Sequence, residues 1–152
     1  MKKGMLILLL TSFIGCEPEI NKNEVKESAL EFVNSFAKTW AIDEDYNKLN
    51  EFFTEKFYTI SPSDSFRLEG RNKNIDGYKK FLESTDILDY TFNDADVQIY
   101  NSGKCAIVSL YYYMSMKIGE DTVKTSGRDM LVLVKEKDEW KIAADHFSNF
   151  PK

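Results

Sequence analysis

The chain carries one histidine, His146, in the run from Trp140 to Ser148. Trp140, Ile142, Ala144, His146 and Ser148 keep one parity there and so share one face of a strand. An imidazole with a reference pKa of about 6.5 can act as acid or base near neutral pH. Asp129 and Arg128 lie on the preceding strand and on opposite faces, so only one of them can share a side with His146. Asp129 on that side would orient the imidazole for general-base chemistry; Arg128 would instead hold an anionic group in its fork of donors. Asp145 has the opposite parity from His146 and is expected in solvent. Tyr58, Tyr111, Tyr112 and Tyr113 bring hydroxyls able to polarise a carbonyl, and the three successive tyrosines must alternate faces. Each group also has a plainer reading: a hydrogen-bonded core histidine, surface ion pairs, ordinary core and surface aromatics.

Other chemistries find no support. There is no GxGxxG, P-loop, GxSxG or HExxH run, and no Cys/His spacing of a metal site, so neither cofactor nor metal is expected. The two cysteines are Cys16 and Cys105; the latter sits within an apolar strand, where a lone thiol is most often a small buried hydrophobe. The net charge is −5 with no basic run, which argues against nucleic acid as a partner.

The N-terminus reads as an address. Met1-Lys2-Lys3 is followed by an uncharged stretch, Gly4 to Ile14, then by Gly15-Cys16 and the polar Glu17-Pro18-Glu19. Charge, apolar core and a small residue before the cut make a secretory signal peptide, too short to span a bilayer as a helix. Phe13-Ile14-Gly15-Cys16 resembles a lipobox, with Phe13 where Leu is usual, so Cys16 is expected to be acylated. The expected organisation is a lipoprotein signal at 1–15, lipidated Cys16 and a tether at 16–22, and one domain at 23–152. Loss of the leader removes Lys2 and Lys3 and no acid, leaving 18 basic against 25 acidic side chains, a net −7. The lipid, not charge, would then hold the protein in the cell envelope, on the periplasmic side or the outer-membrane surface.

The elements that must position the candidate residues follow from periodicity. Asn21 and Glu24 can form a capping box ahead of Val25, Ala29, Phe32, Val33, Phe36, Ala37 and Trp40, one apolar helical face ending near Ala41. Asp43 can cap a shorter helix burying Tyr46, Leu49, Phe52 and Phe53. A short strand, Phe57 to Ile60, and a third helix through Ile75, Tyr78, Phe81 and Leu82, ending near Ser84, come next. Beyond Leu88 the period becomes two. Leu88, Tyr90 and Phe92 have one parity and Val97 and Ile99 the other, which predicts a bulge or break at Asn93 to Asp96. Strands Cys105–Ile118, Thr122–Lys135 and Trp140–Ser148 complete a meander, turned at Asn101-Ser102-Gly103, Gly119-Glu120-Asp121 and Glu136 to Glu139. The class is α+β, helices on one face of a curved antiparallel sheet.

This order, with Ser126 to Val134, then Glu139 to Ser148 opening on Trp140 and carrying His146-x-Ser148, resembles the nuclear-transport-factor-2-like superfamily, including its SnoaL-like and ketosteroid-isomerase-like groups. Trp40 before Asp43, and Gly70 before Ile75, stand where such sequences place them. The resemblance implies a cone-shaped curved antiparallel sheet wrapped around the N-terminal helices, with a mostly apolar pocket at its open end. It places Trp140, and with it His146, inside that cone, where Asp129 or a tyrosine would assist it. Trp40, Tyr58, Tyr111, Tyr113 and Arg128 are the residues expected to line the ligand site. It further implies dimers through the outer sheet face. An isomerase mechanism needs a base carboxylate and a second, protonated acid beside a tyrosine; Asp43 and Asp64 sit where caps and turns want aspartate, so that pair is left unassigned. Three readings stay open: a non-catalytic binder of a small apolar or amphipathic molecule, a lyase, isomerase or cyclase using His146, and a dimerisation or partner module.

Overall fold

The structure, a computed structural model, describes residues 21–151. The expected signal peptide and Cys16 lie outside the described residues. Helix α1 (Lys22–Ala41) opens as its sequence requires. The Asn21 side chain accepts from the backbone N–H groups of Asn23 and Glu24, and its amide donates to the Glu24 carboxylate at 2.7 Å. A 3-10 turn (Tyr46–Glu51) replaces the short second helix. Asp43 does not cap it; Asp45 precedes the turn, and its side chain makes no capping bond. Strand β1 (Phe53–Ile60) is longer than the apolar run alone indicates, β2 (Leu68–Glu69) is a stub, and α2 (Arg71–Ser84) ends where its periodicity ends. Then come β3 (Asp86–Tyr100), β4 (Cys105–Ile118), β5 (Asp121–Glu136) and β6 (Glu139–Asn149). No helix among the described residues is long and apolar enough to cross a membrane.

The sheet order is β2-β1-β6-β5-β4-β3, antiparallel throughout except that β1 runs parallel to β6. The turns fix the register. Between β4 and β5 only Gly119, the first loop residue, has positive φ (62°), the pattern of a type II′ turn; between β5 and β6 both Lys137 and Asp138 do (53° and 66°), the pattern of type I′. The parity change in β3 has the predicted cause: its pairing with β4 slips between Asn93 and Asp96.

Helix α1 lies in the concave side of this sheet. Ala29, Val33, Phe36 and Ala37 on its inner face meet Val108, Leu110, Leu131, Leu133, Trp140 and Ile142 from the strands. The Trp140 indole N–H donates to Ser28 Oγ at 3.0 Å, tying the last strand to the helix. Phe36 is the hub of an aromatic cluster, with Phe52, Phe53 and Tyr78 between 5.5 and 6.3 Å away and Trp40 at 6.5 Å. Phe53 stacks on Phe57 with centroids 4.0 Å apart, and both rings are fully buried. Deleting such a ring removes its transfer energy and leaves a cavity. The Phe53→Ala substitution is expected to destabilise the protein by about 3–5 kcal/mol, read as a lowered urea midpoint with an unchanged slope.

Candidate functional site

The strand β6 gains one residue on its partner. Ile142 pairs with Leu133 and Ala144 with Val132, so Ala143 faces nothing on β5. A bulge of this kind reverses which side chains point to which face. Ahead of it Trp140 and Ile142 point into the cone; after it Asp145 and Phe147 do, and His146 turns outward. His146 is exposed, and Asp145, expected in solvent, keeps only 3% of its surface. Both placements correct the simple alternation from Trp140.

Asp145 stands opposite Leu131 on β5, and Asp129 stands opposite Phe147 on β6. The two aspartates are therefore diagonal neighbours on the inner face, close enough for their side chains to meet. They do meet: the carboxyls hydrogen-bond each other. Oδ1 of each is buried and faces no further donor. Burial, reinforced by the charge of Asp129, holds the Asp145 carboxyl well above the ordinary carboxylate range. Burial also pushes Asp129 up, to about 6, against the opposing pull of the Asp145 hydrogen bond, the Met130 backbone N–H and His146. At neutral pH the pair thus holds one proton and one negative charge, Asp145 donating and Asp129 accepting.

Three tyrosines surround the pair. Tyr78 comes from α2, Tyr90 from β3 and Tyr112 from β4. Burial and the two carboxyl charges raise the hydroxyl pKa of all three, so they stay protonated donors. Tyr112 donates to Asn149 Oδ1 at 2.6 Å. Its hydroxyl lies beside Gly127, where an added Cβ would come within 2.7 Å of it and 2.0 Å of the Ser148 carbonyl oxygen; only glycine fits there. Tyr78 and Tyr90 make no such bond among the described residues. Trp40 closes the wall, edge-on to Tyr90 at 4.9 Å and 5.7 Å from Tyr78. Asp129, Tyr78, Tyr90 and Trp40 are half-buried and keep some accessible surface. Helix α2 is held in place by Asn74, which accepts from Thr59 Oγ1 at 2.7 Å and donates to the carbonyls of Leu68 and Gly70.

Of the residues singled out in the sequence, the structure brings Asp129, Trp40 and Tyr112 to this site. Tyr111 and Tyr113 point outward and are exposed; Tyr112 between them is the inward one. Tyr58 faces away from the cone beneath the Arg67 guanidinium, and Arg128 is exposed over the ring of Phe150. Asp43 and Asp64 are exposed, the latter in a turn where it accepts from Ser61 Oγ. Cys105 is a half-buried free thiol. Among the described residues no three His, Cys, Asp or Glu side chains gather as a metal site requires. An open recess of about 550 Å³ lies elsewhere, lined by Tyr113, Ser115, Lys124 and Ser126 of the outer face with Phe150 and Pro151. Half of its ten lining residues are exposed, and neither inner aspartate is among them.

The family description "SnoaL-like domain" matches residues 30–152. The chain belongs to the SnoaL-like domain family. A search of curated proteins finds no match. Solved structures share its fold at low identity. A nuclear transport factor 2-like superfamily protein from Salmonella enterica superposes with a TM-score of 0.73 at 19% identity, over 86% of this chain and 94% of its own. A ketosteroid isomerase-like protein from Erwinia carotovora atroseptica gives 0.68 at 14%, over 84% and 95%. The S. rosetta CaMKII hub gives 0.68 at 18%, over 82% and 95%. The fold is thus shared with a protein named as a CaMKII hub as well as with a ketosteroid isomerase-like one.

The raised carboxyl pKa values carry a stability signature. A folded-state pKa above the unfolded value makes the folded state bind the extra proton, so its stability falls as pH rises from about 4 through about 6. The Asp129→Asn variant removes that loss. It is expected to be more stable than the parent by about 1–3 kcal/mol near pH 8, with the advantage vanishing below about pH 4, read by urea unfolding at several pH values.

Proposed function

We propose that this SnoaL-like protein is a lipid-anchored envelope protein whose cone binds a small, mostly apolar molecule, holding one polar group of it at the Asp129–Asp145 pair. The observation that carries this reading is the pair itself: two carboxyls on the inner face that bond to each other and pair with no cation among the described residues. Burying unsatisfied carboxyls costs several kcal/mol, and folding alone gives no return for it. Aromatic walls with a few convergent polar groups are the make-up of a small-molecule site. The lipobox-like Phe13 to Cys16 supports the anchor.

A second reading has its own support. A carboxylate and a carboxylic acid sharing a proton, with the unbonded hydroxyls of Tyr78 and Tyr90 beside them, make an acid–base set for a carbonyl-bearing ligand. Asp129 would take a proton, Asp145 would return one, and a tyrosine would steady the oxygen. His146, on the outer face, has no part in it. A third role uses the outside of the sheet. Tyr111 and Tyr113 on β4 and Met130 on β5 stand 40%, 46% and 46% exposed there, an apolar strip that a second copy could cover about a two-fold axis.

Three measurements test these readings. Native mass spectrometry of the protein purified gently from cells should show an extra mass of a few hundred daltons, lost on denaturation; a clean apo spectrum counts against the binding reading, and the same spectrum reports monomer or dimer. Cys16→Ala should move the protein from the membrane to the soluble fraction, and retention there contradicts the anchor. In heavy water, the parent should speed deuterium uptake α to the carbonyl of a cyclic ketone relative to Asp129→Asn, losing rate below about pH 6 as the base is protonated. Equal rates from the two proteins would remove the acid–base reading.

A further inference from the structure

The inner face of the cone carries a negative charge that no ion pair among the described residues balances. None of the ion pairs among the described residues involves Asp129 or Asp145. The charges acting on the two carboxyls are each other's and that of His146, whose side chain stands on the outer face. Arg71, on the first turn of α2, is not among them. Beyond the bond the two carboxyls share, Oδ1 of each meets no N–H or hydroxyl donor of the protein.

Around these acceptors stand rings rather than bases. Trp40 contacts Tyr90 edge-on at 4.9 Å, 67° between planes, and Tyr78 at 5.7 Å; all three are half-buried. Aromatic faces attract cations through their quadrupole, most strongly when water is excluded. A carboxylate attracts them through charge and accepts short hydrogen bonds from ammonium groups. An anionic ligand would meet repulsion here. A neutral one would leave the buried charge uncompensated.

We propose that the ligand of the cone is an organic ammonium, a cationic amine on a hydrophobic body, with its N–H donors on the Asp129–Asp145 carboxyls and its charge against Trp40, Tyr78 and Tyr90. This rests on the reading of the cone as a small-molecule site and names the ligand class. The positive charge supplies what the fold omits, and the apolar body would lie against the rings of Trp40, Tyr78 and Tyr90.

Isothermal titration of the full chain with three probes of one shape tests it: 4-phenylbutylammonium, 4-phenylbutanol and 4-phenylbutyrate. Near pH 8 the ammonium should bind about tenfold or more tightly than the alcohol, the lower range of a hydrogen bond to a charged group, and the carboxylate should not bind measurably. The groups facing the ligand are Asp129 and Asp145 from the strands, with Tyr78, Tyr90 and Tyr112, which remain neutral donors. The preference should therefore fade near pH 5, where Asp129 takes up a proton. It should also vanish in Asp129→Asn at both pH values, while a thermal melt shows that variant folded; this ties the pH effect to Asp129 itself. Alcohol bound as tightly as ammonium overturns the ligand class and leaves the cone a binding site. A preference that survives in Asp129→Asn, or tighter binding of the carboxylate, overturns it as well. No binding by any probe overturns it too, and only an apo native spectrum alongside would bring down the binding reading.

Discussion

One unpaired residue on β6 decides what the cone contains. With Ala143 bulged out, the strand arrives at Asp145 half a pleat out of step with Trp140, and a carboxyl replaces an imidazole on the inner face. Without that step His146 would face the cone and Asp145 would sit in water. The bulge lies where β6 also takes on its parallel neighbour: β1 slips against it between Phe53 and Tyr58, over the same stretch, Ile142 to Ala144. A strand at the join between an antiparallel meander and a parallel partner must satisfy two ladders of different spacing, and a local irregularity is where the difference is absorbed.

Turning Asp145 inward forces the electrostatics that follow. Two carboxylates cannot both remain ionised side by side in a site of low dielectric; one keeps its proton and offers it to the other. The surrounding tyrosines donate but do not titrate near neutral pH, so they leave the charge in place. The fold tolerates this because the cost is confined. Everything beneath the pair is a conventional core of Phe36, Phe53, Phe57, Leu131, Leu133 and Ile142, and a protein with that much buried apolar surface can carry a local loss of a few kcal/mol.

The architecture was legible in the sequence because it rests on periodicity. The spacing of Ala29, Val33, Phe36 and Ala37 gave α1 its face, and the parity change from Phe92 to Val97 located the β3 bulge. The site was legible only in part. Residue type and parity mark Asp129, Trp40 and Tyr112; Tyr78 and Tyr90 show in the sequence only as periodic positions of a helix and a strand, since an inward tyrosine there carries no mark of a pocket. Asp145 was missed because alternation was extended from Trp140 through the whole strand. The correcting signal was there: Trp140 and Ile142 are apolar on even positions, Phe147 is apolar on an odd one, and His146 and Ser148 are polar on even ones. The same argument that placed the β3 bulge, applied between Ile142 and Phe147, puts a bulge at the two alanines and turns Asp145 inward.

Two buried polar residues in this domain show how a structural group differs from a functional one. Asn74 and Asp145 are about equally hidden, at 2% and 3% exposure. Asn74 spends its amide completely: it accepts from Thr59 and donates to the carbonyls of Leu68 and Gly70, and in doing so fixes α2 against β1 and β2. Nothing is left over for a ligand, and positioning accounts for all of its chemistry. Asp145 bonds only to another carboxyl, although it stands directly opposite Thr59, which spends its own hydroxyl on Asn74. A hydroxyl that could have satisfied the acid is turned away from it. Folding stability would favour the reverse arrangement, since an unsatisfied buried acceptor costs about 1–3 kcal/mol. A group held short of its bonds inside a recess, beside a neighbour whose bonds are complete, is accounted for by a partner that arrives from outside.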